Sequence, residues 1–249
     1  MGQLDNKIAI VTGAGGGIGG AIALRFAREG AQIAVADIDG ETAKSRAAEI
    51  TQQGGQAVPI VADVTRKTSA EQMAQAALSR WGRIDILVNV AGGAQVKPVI
   101  EVSETEWDHI IDMNLKSVFL CSQAVLPTMI KQNYGKIVSI SSIYGFTGNA
   151  TRASYSAAKA GVAVFTKSLA LEVVGQGVNV NAVAPGRILT DRVRSHYTEE
   201  EWNERVVQIP MKRAGTPEEI ASTALFLVLD ENKYITGQTI HVNGAWLNW

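Results

Sequence analysis

The sequence predicts a doubly wound α/β fold, a parallel sheet with helices on both faces. Three observations carry this. Short apolar runs alternate with longer helix-like segments along the chain. Most runs are continuously apolar rather than alternating, as strands buried on both faces must be. The first run leads straight into V-T-G-A-G-G-G-I-G-G, Val11 to Gly20, with six glycines in ten residues, and then into a helix pattern.

The strand-like runs are 8–11, 33–36, 58–61, 84–88, 136–140, 178–183 and 239–242. Two helix starts are well marked. Ser103-Glu104-Thr105-Glu106 is a capping box before W-D-H-I-I-D-M-N-L. Thr216-Pro217-Glu218-Glu219 is another, with proline at the first helical position. No linker, repeat or low-complexity run interrupts the pattern. The least regular stretch, 187–212, has mixed charge with Tyr197 and Trp202 and reads as an insertion over one end of the sheet.

With 249 residues, 46% hydrophobic and 19% charged, the chain can bury a full core and has no composition for disorder. A net charge of −1 argues against nucleic acid or an anionic membrane as partner. No run is long enough to span a bilayer, and no signal-peptide core is present. Gly2 is followed by Asn6 where a myristoylation signal needs Ser or Thr. The expected compartment is the cytoplasm. The single cysteine, Cys121, sits in an apolar stretch and reads as a small core residue. His109, His196 and His241 make no metal-ligand spacing, so no metal is expected.

A strand, a glycine turn and a helix can seat a pyrophosphate. Glycine lets the backbone approach, and the helix start offers unpaired N–H groups and partial positive charge. A tight turn with no ligand is the alternative. The spacing fits T-G-x-x-x-G-x-G at Thr12-Gly13, Gly17 and Gly19, with Ile18 between the last two; G-x-G-x-x-G also fits at Gly15, Gly17 and Gly20. No P-loop pattern exists. Asp37 ends the second strand, 24 residues after Gly13, where an acid meets the adenosine ribose hydroxyls. It could instead cap the next helix, and Asp39 competes for that cap.

Tyr155 and Lys159, at i and i+4 on an Ala-rich helix, share one face. An ammonium there would favour the phenolate and lower the tyrosine pKa from near 10, giving a usable general acid/base. Ser142, past the fifth strand, can hold a substrate oxygen against Tyr155. Taken alone, the pair also fits an ordinary surface contact.

With these residues in place, the chain resembles the classical short-chain dehydrogenase/reductase (SDR) family over essentially its whole length. The matching motifs are T-G-A-G-G-G-I-G (12–19), Asp37, Asp63-Val64, N-V-A-G (89–92), Asn114, Ser142, Y-S-A-A-K (155–159), N-V-N-A-V-A-P-G (179–186) and I-T-G-Q (235–238). The resemblance implies one NAD(P)-binding Rossmann-fold domain over 1–249, with 187–212 covering the substrate. Tyr155 is then the general acid/base and Ser142 orients the substrate oxygen. Lys159 binds the nicotinamide ribose, and Asn114 joins it through water in a proton relay. Asp63 holds the adenine amino group, with Val64 beside the ring. Asn89, Ala91 and Gly92 line the cofactor path. Pro185, Gly186, Ile188 and Thr190 frame the nicotinamide. On the residues alone, Asn114 is equally a satisfied helix-interior amide and 185–190 a simple Pro-Gly turn. Two departures stand out: Val90 where the family often has Asn, and Val242-Asn243-Gly244-Ala245 where it has V-D-G-G.

The resulting expectation is reversible hydride transfer between a secondary alcohol or ketone and NAD. Asp37 should repel a 2′-phosphate, and the nicotinamide's charge also favours the phenolate. The runner-up is a 3-oxoacyl-acyl-carrier-protein reductase, whose family commonly uses NADPH and a basic residue near the glycine turn; none lies in Gly15-Gly16-Gly17. A non-catalytic nucleotide-binding regulator is the rival of another class. The substrate pocket should include Gly93, Ala94, Tyr144, Arg152 and Arg187, with His196, Tyr197 and Trp202. That mix suits a cyclic or aromatic alcohol, or one bearing an anionic group. The resemblance implies a homotetramer. The A-W-L-N-W tail offers Trp246 and Trp249 to a partner subunit, or folds onto its own domain.

Overall fold

The seven apolar runs form one parallel sheet in the computed structural model, which describes residues 2–195 and 197–247. The strands are β1 (Ile8–Thr12), β2 (Gln32–Asp37), β3 (Gln56–Val61), β4 (Ile86–Asn89), β5 (Gly135–Ile140), β6 (Val178–Pro185) and β7 (Thr239–Val242). Their spatial order is β3-β2-β1-β4-β5-β6-β7. The chain winds outward from β1 to β3, crosses back to β4, and winds the other way. β1 and β4 are neighbours, so the crevice at their carboxyl ends is the switch point where such sheets bind ligands.

The helices are α1 (Gly17–Arg28), α2 (Gly40–Gln52), α3 (Lys67–Trp81), α4 (Glu104–Ile111), α5 (Ser117–Gln132), α6 (Tyr144–Thr147), α7 (Ala153–Val173), α8 (Asp191–Arg194), α9 (Glu199–Val207) and α10 (Pro217–Val228). One face of the sheet is covered by α1, α2 and α10 through Ile22, Phe26, Ile50 and Leu225. The other is covered by α3, α5 and α7 through Met73, Val125, Met129 and Val173. Burying such apolar area drives the layering. Cys121 lies in the second core, where burial pushes its thiol up to about 12.

Both capping boxes form, at Ser103 and Thr216. A third, Thr198 with Glu201, starts α9 inside the stretch that had looked irregular. β4 begins two residues later than the apolar run suggests. Ile84 is bound through its N–H to the Gln132 side chain, and the Asp85 carboxylate takes the Ile8 N–H at 2.8 Å. Between α4 and α5 lies a feature with no sequence signal, a π-helical turn over Asp112–Lys116 with Asn114 fully buried.

Candidate active site

The glycine loop joins β1 to α1 at the switch point. Gly13 has φ 62°, and a Cβ there would lie 2.9 Å from the Ala91 Cα. A Cβ on Gly19 would lie 2.1 Å from the Gly13 carbonyl oxygen. Neither position tolerates a side chain, so the loop packs backbone against backbone. Gly16 precedes α1 with no side-chain cap, leaving the first N–H groups to meet an anion. Thr190 approaches the loop from the far side, its methyl 3.6 Å from where a Gly17 Cβ would be.

Asp37 and Asp39 divide their work. Asp39 caps α2 by accepting from the Glu41 and Thr42 N–H groups at 2.9 and 3.3 Å. Asp37 is therefore not the helix cap. Its carboxylate accepts from the Gly15 N–H at 2.9 Å and the Asp39 N–H at 3.1 Å, at the carboxyl end of β2 beside the glycine loop. A base does come near the loop from α2, one that the sequence reading missed. The Arg46 guanidinium reaches the Gly15 carbonyl at 3.5 Å, but it is ion-paired with Glu49. Asp63 follows β3 and accepts from the Thr65 hydroxyl at 2.6 Å; Val64 beside it is buried.

Thr12 is a second residue that sequence reasoning passed over. Its hydroxyl accepts from the Val90 and Ala91 N–H groups at 3.0 and 3.2 Å. It thereby ties the end of β1 to the loop after β4. Asn89 turns its amide inward, donating to Ser139 at 3.1 Å and Ser122 at 3.5 Å. Its side chain braces strands, while the Ala91 and Gly92 backbone faces the crevice side of Gly13 and Lys159.

Ser142, Tyr155 and Lys159 come together past the end of β5. Ser142 Oγ accepts from the Tyr144 N–H at 3.2 Å, which leaves its own proton to donate. Its hydroxyl lies near enough to the Tyr155 phenol to oppose the effect of burial on it. Lys159 is buried, and its Nζ donates to the Ile140 carbonyl at 2.8 Å. Burial without an acidic partner holds Lys159 down to about 8. Asn114 donates to the Gly93 and Ile110 carbonyls at 2.8 and 3.0 Å and accepts from the Gly93 N–H at 3.2 Å. Its oxygen and Lys159 Nζ both flank Gly92, at 2.6 and 3.5 Å from where a Cβ would sit.

One expectation is corrected here. The ammonium was to lower the Tyr155 pKa, but burial pushes the phenol up, opposed by the Ser142 hydrogen bond and the Arg152 charge. Lys159 Nζ lies 5.7 Å from the phenol ring centre and is directed to a carbonyl. With the chain's own groups alone, Tyr155 keeps its proton at neutral pH.

Pro185 ends β6, and the Gly186 N–H donates to the Val242 carbonyl at 2.9 Å. Ile188 is buried and bridges to Gly215. Thr190 caps α8. Arg192 in α8 donates to the Gly92 carbonyl at 3.3 Å, so the 187–212 stretch reaches over the loop after β4; Gly93 lies beneath it, and Ala94 is exposed. At the substrate side, Tyr144 meets Trp246 edge-on at 6.3 Å. Arg187 lies 5.7 Å from the Trp246 ring centre. The indole of Trp246 therefore touches its own chain, and it is left half-buried. His196 and Trp249 lie outside the described residues.

A family model described as Enoyl-(Acyl carrier protein) reductase matches residues 13–246. The chain belongs to the short-chain dehydrogenase/reductase family. As an SDR it is an oxidoreductase that works with a nicotinamide cofactor. It is 44% identical over 242 residues to the 3-oxoacyl-acyl-carrier-protein reductase FabG of Staphylococcus epidermidis, covering 96% of this chain and 98% of that one. It is 40% identical to the FabG of Thermotoga maritima, covering 98% of each. Among solved SDR structures, a 7α-hydroxysteroid dehydrogenase complexed with NADH and 7-oxo glycochenodeoxycholic acid superposes with TM-score 0.93 at 38% identity, covering 97% of this chain and 94% of that one. The crystal structure of gox2181 gives TM-score 0.95 at 34% identity, covering 99% and 97%.

Proposed function

We propose that this SDR reduces the carbonyl of 3-oxoacyl substrates with NADH. The observation that carries the reading is the convergence of two hydroxyls past β5, Ser142 with its proton turned towards the phenol and Tyr155 kept protonated by burial. Both can donate to one carbonyl oxygen, and a phenol with its proton in place is an acid suited to reduction. The relatives' names as 3-oxoacyl reductases support this over the alcohol oxidation that the sequence alone put first.

The glycine loop, Asp37, Asp63, Val64, Ala91, Gly92, Lys159, Pro185, Gly186, Ile188 and Thr190 would hold the dinucleotide, whose nicotinamide supplies the hydride to the carbonyl carbon. Tyr155 gives its proton to the carbonyl oxygen. Lys159 would hold the nicotinamide ribose, and with Asn114 at Gly92 it would lead a replacement proton inward. Ser142 fixes the oxygen, and the 187–212 stretch excludes water. The Asp37 carboxylate, free of helix capping, supports NADH over NADPH.

A second reading is oxidation of a cyclic secondary alcohol, favoured by the Tyr144 and Trp246 rings at the mouth. Initial rates with acetoacetyl thioesters and NADH, against cyclic alcohols and NAD, decide between them. Failure of both classes to turn over would return the regulator reading. The assembly we propose is a homotetramer, supported by an apolar face on α5 and α7 that exposes Phe119, Val164 and Leu171; light scattering tests it. No described helix is long and apolar enough to cross a membrane, and our reading keeps the protein in the cytoplasm with neither membrane nor nucleic acid as partner.

A further inference from the structure

We propose that Arg187, assisted by Arg152, binds an oxyanion carried by the substrate away from its reacting carbonyl. This rests on the hydride-transfer reading above and names the kind of substrate that site takes.

Arg187 leaves the end of β6 and enters an aromatic nest. Its guanidinium carbon lies 5.5, 5.9 and 5.7 Å from the ring centres of Tyr197, Trp202 and Trp246. Rings engage the face of a guanidinium and leave its edge donors free. Those donors have no carboxylate. Among the described residues Arg187 makes no ion pair; one donor turns to the Tyr197 phenol, and its Nε is buried with no acceptor. Arg187 is half-buried, its Nε is an unmet donor, and a planar fork of N–H groups fits a carboxylate or phosphate.

There is room for one. Arg187 lines a cavity of about 90 Å³ with Ile209, Met211, Arg213, Glu219 and Asn243. One water takes ~30 Å³ of liquid, so a carboxylate fits there. The acid in that wall is already engaged. Glu219 accepts from Arg213 at 2.9 and 2.6 Å and from the Thr216 N–H at 2.8 Å. The Arg187 charge is the surplus.

Arg152 extends the positive field towards the chemistry. It lies 5.9 Å from the Tyr144 ring centre and likewise makes no ion pair among the described residues. Tyr144 meets Trp246, and Trp246 meets Arg187, so one aromatic platform links the two cations. Tyr144 is two residues from Ser142. Against its burial, a hydrogen bond from Arg187 and then the charges of Arg187, Arg152 and Arg205 hold the Tyr197 phenol below its usual range. Glu201 on α9 bears on Arg205, while neither Arg187 nor Arg152 has an ion-pair partner among the described residues.

The oxyanion has two possible sources, a carboxylate at the end of the acyl chain or the phosphate of a carrier arm. Wild type and Arg187→Met are compared on three 3-oxoacyl thioesters with NADH. One is a neutral N-acetylcysteamine thioester. One is the N-acetylcysteamine thioester of a 3-oxo dicarboxylic acid. One is a coenzyme A thioester. The substitution should lower kcat/KM at least about tenfold more on an anionic substrate than on the neutral one. A selective loss on the dicarboxylic substrate assigns the acyl carboxylate; a selective loss on the coenzyme A substrate assigns the arm phosphate. Equal losses on all three would overturn the proposal and make Arg187 a mere prop for the tail. If wild type turns over none of them, the reaction reading has failed, and calorimetry with benzoate against benzamide judges the anion site. Benzoate binding at least about tenfold tighter than benzamide, lost in Arg187→Met, supports it; equal binding refutes it.

Discussion

Replacing Asp37 with asparagine should erase most of the discrimination between NADH and NADPH. The substitution keeps one side-chain oxygen to accept the Gly15 N–H, now at 2.9 Å, so the loop keeps its shape while the charge is lost. Two unit charges about 4 Å apart repel by ~1 kcal/mol in bulk water and ~4 kcal/mol near a protein surface. Asp37 is only half-buried, which argues for the lower end. A 2′-phosphate carries more than one charge, so the wild type should prefer NADH by at least about tenfold in kcat/KM, or ~1.4 kcal/mol. Initial rates with both cofactors, followed at the NADH absorbance, give the ratio. In Asp37→Asn it should fall towards unity, and in wild type it should shrink as salt rises, because a partly exposed charge is screened. Arg46→Met is the control. Arg46 is spent on Glu49 and the Gly15 carbonyl, so its loss should leave the ratio alone. Wild-type parity, an NADPH preference, or an unchanged ratio in Asp37→Asn would refute the reasoning.

Tyr155→Phe should remove nearly all turnover, by a factor of about a thousand or more, while NADH binding measured by fluorescence stays within a few-fold. Lys159→Ala should weaken both turnover and NADH affinity. In wild type, NADH affinity should decline as pH rises through about 8, where burial places the Lys159 ammonium, because the charged form that holds the ribose is lost above that value. The alanine variant should lack this inflection; a matching inflection in both would assign it to another group. Trp246→Ala should raise KM for the carbonyl substrate about tenfold, with NADH affinity unaffected, since the indole rests on Tyr144 and Arg187. Unchanged KM would separate the tail from the pocket.

The sheet was legible because most of its strands are continuously apolar, as strands covered on both faces must be. The glycine loop was legible because backbone contact between Gly13, Gly19 and Ala91 excludes any side chain. Whether Asp37 or Asp39 caps α2 was open in the sequence, since either acid precedes the helix; the turn geometry gives the cap to Asp39. Other features depend on what packing brings from afar. Arg46 reaches the glycine loop from α2, and Thr12 bonds a loop 78 residues away. The Tyr155–Lys159 spacing was read correctly as one face, but a shared face does not fix where an ammonium points. Lys159 turns to the Ile140 carbonyl, and the phenol feels burial instead. The C-terminal indole, too, can cover its own chain or a neighbour with the same residues.

The π turn at Asp112–Lys116 sets a constraint on length. It carries one residue more than an α-helical turn of the same span needs. Deleting one residue there would restore the ordinary repeat, and α4 and α5 would keep their phase because the bulge already absorbs the surplus. The inward row of α5, Leu120, Cys121, Val125 and Met129, would stay on the sheet, but the wide turn that seats Asn114 against Gly93 would close. A single-codon deletion would thus spare the core and cost the buried amide its place, so a chain can lose this residue and still fold.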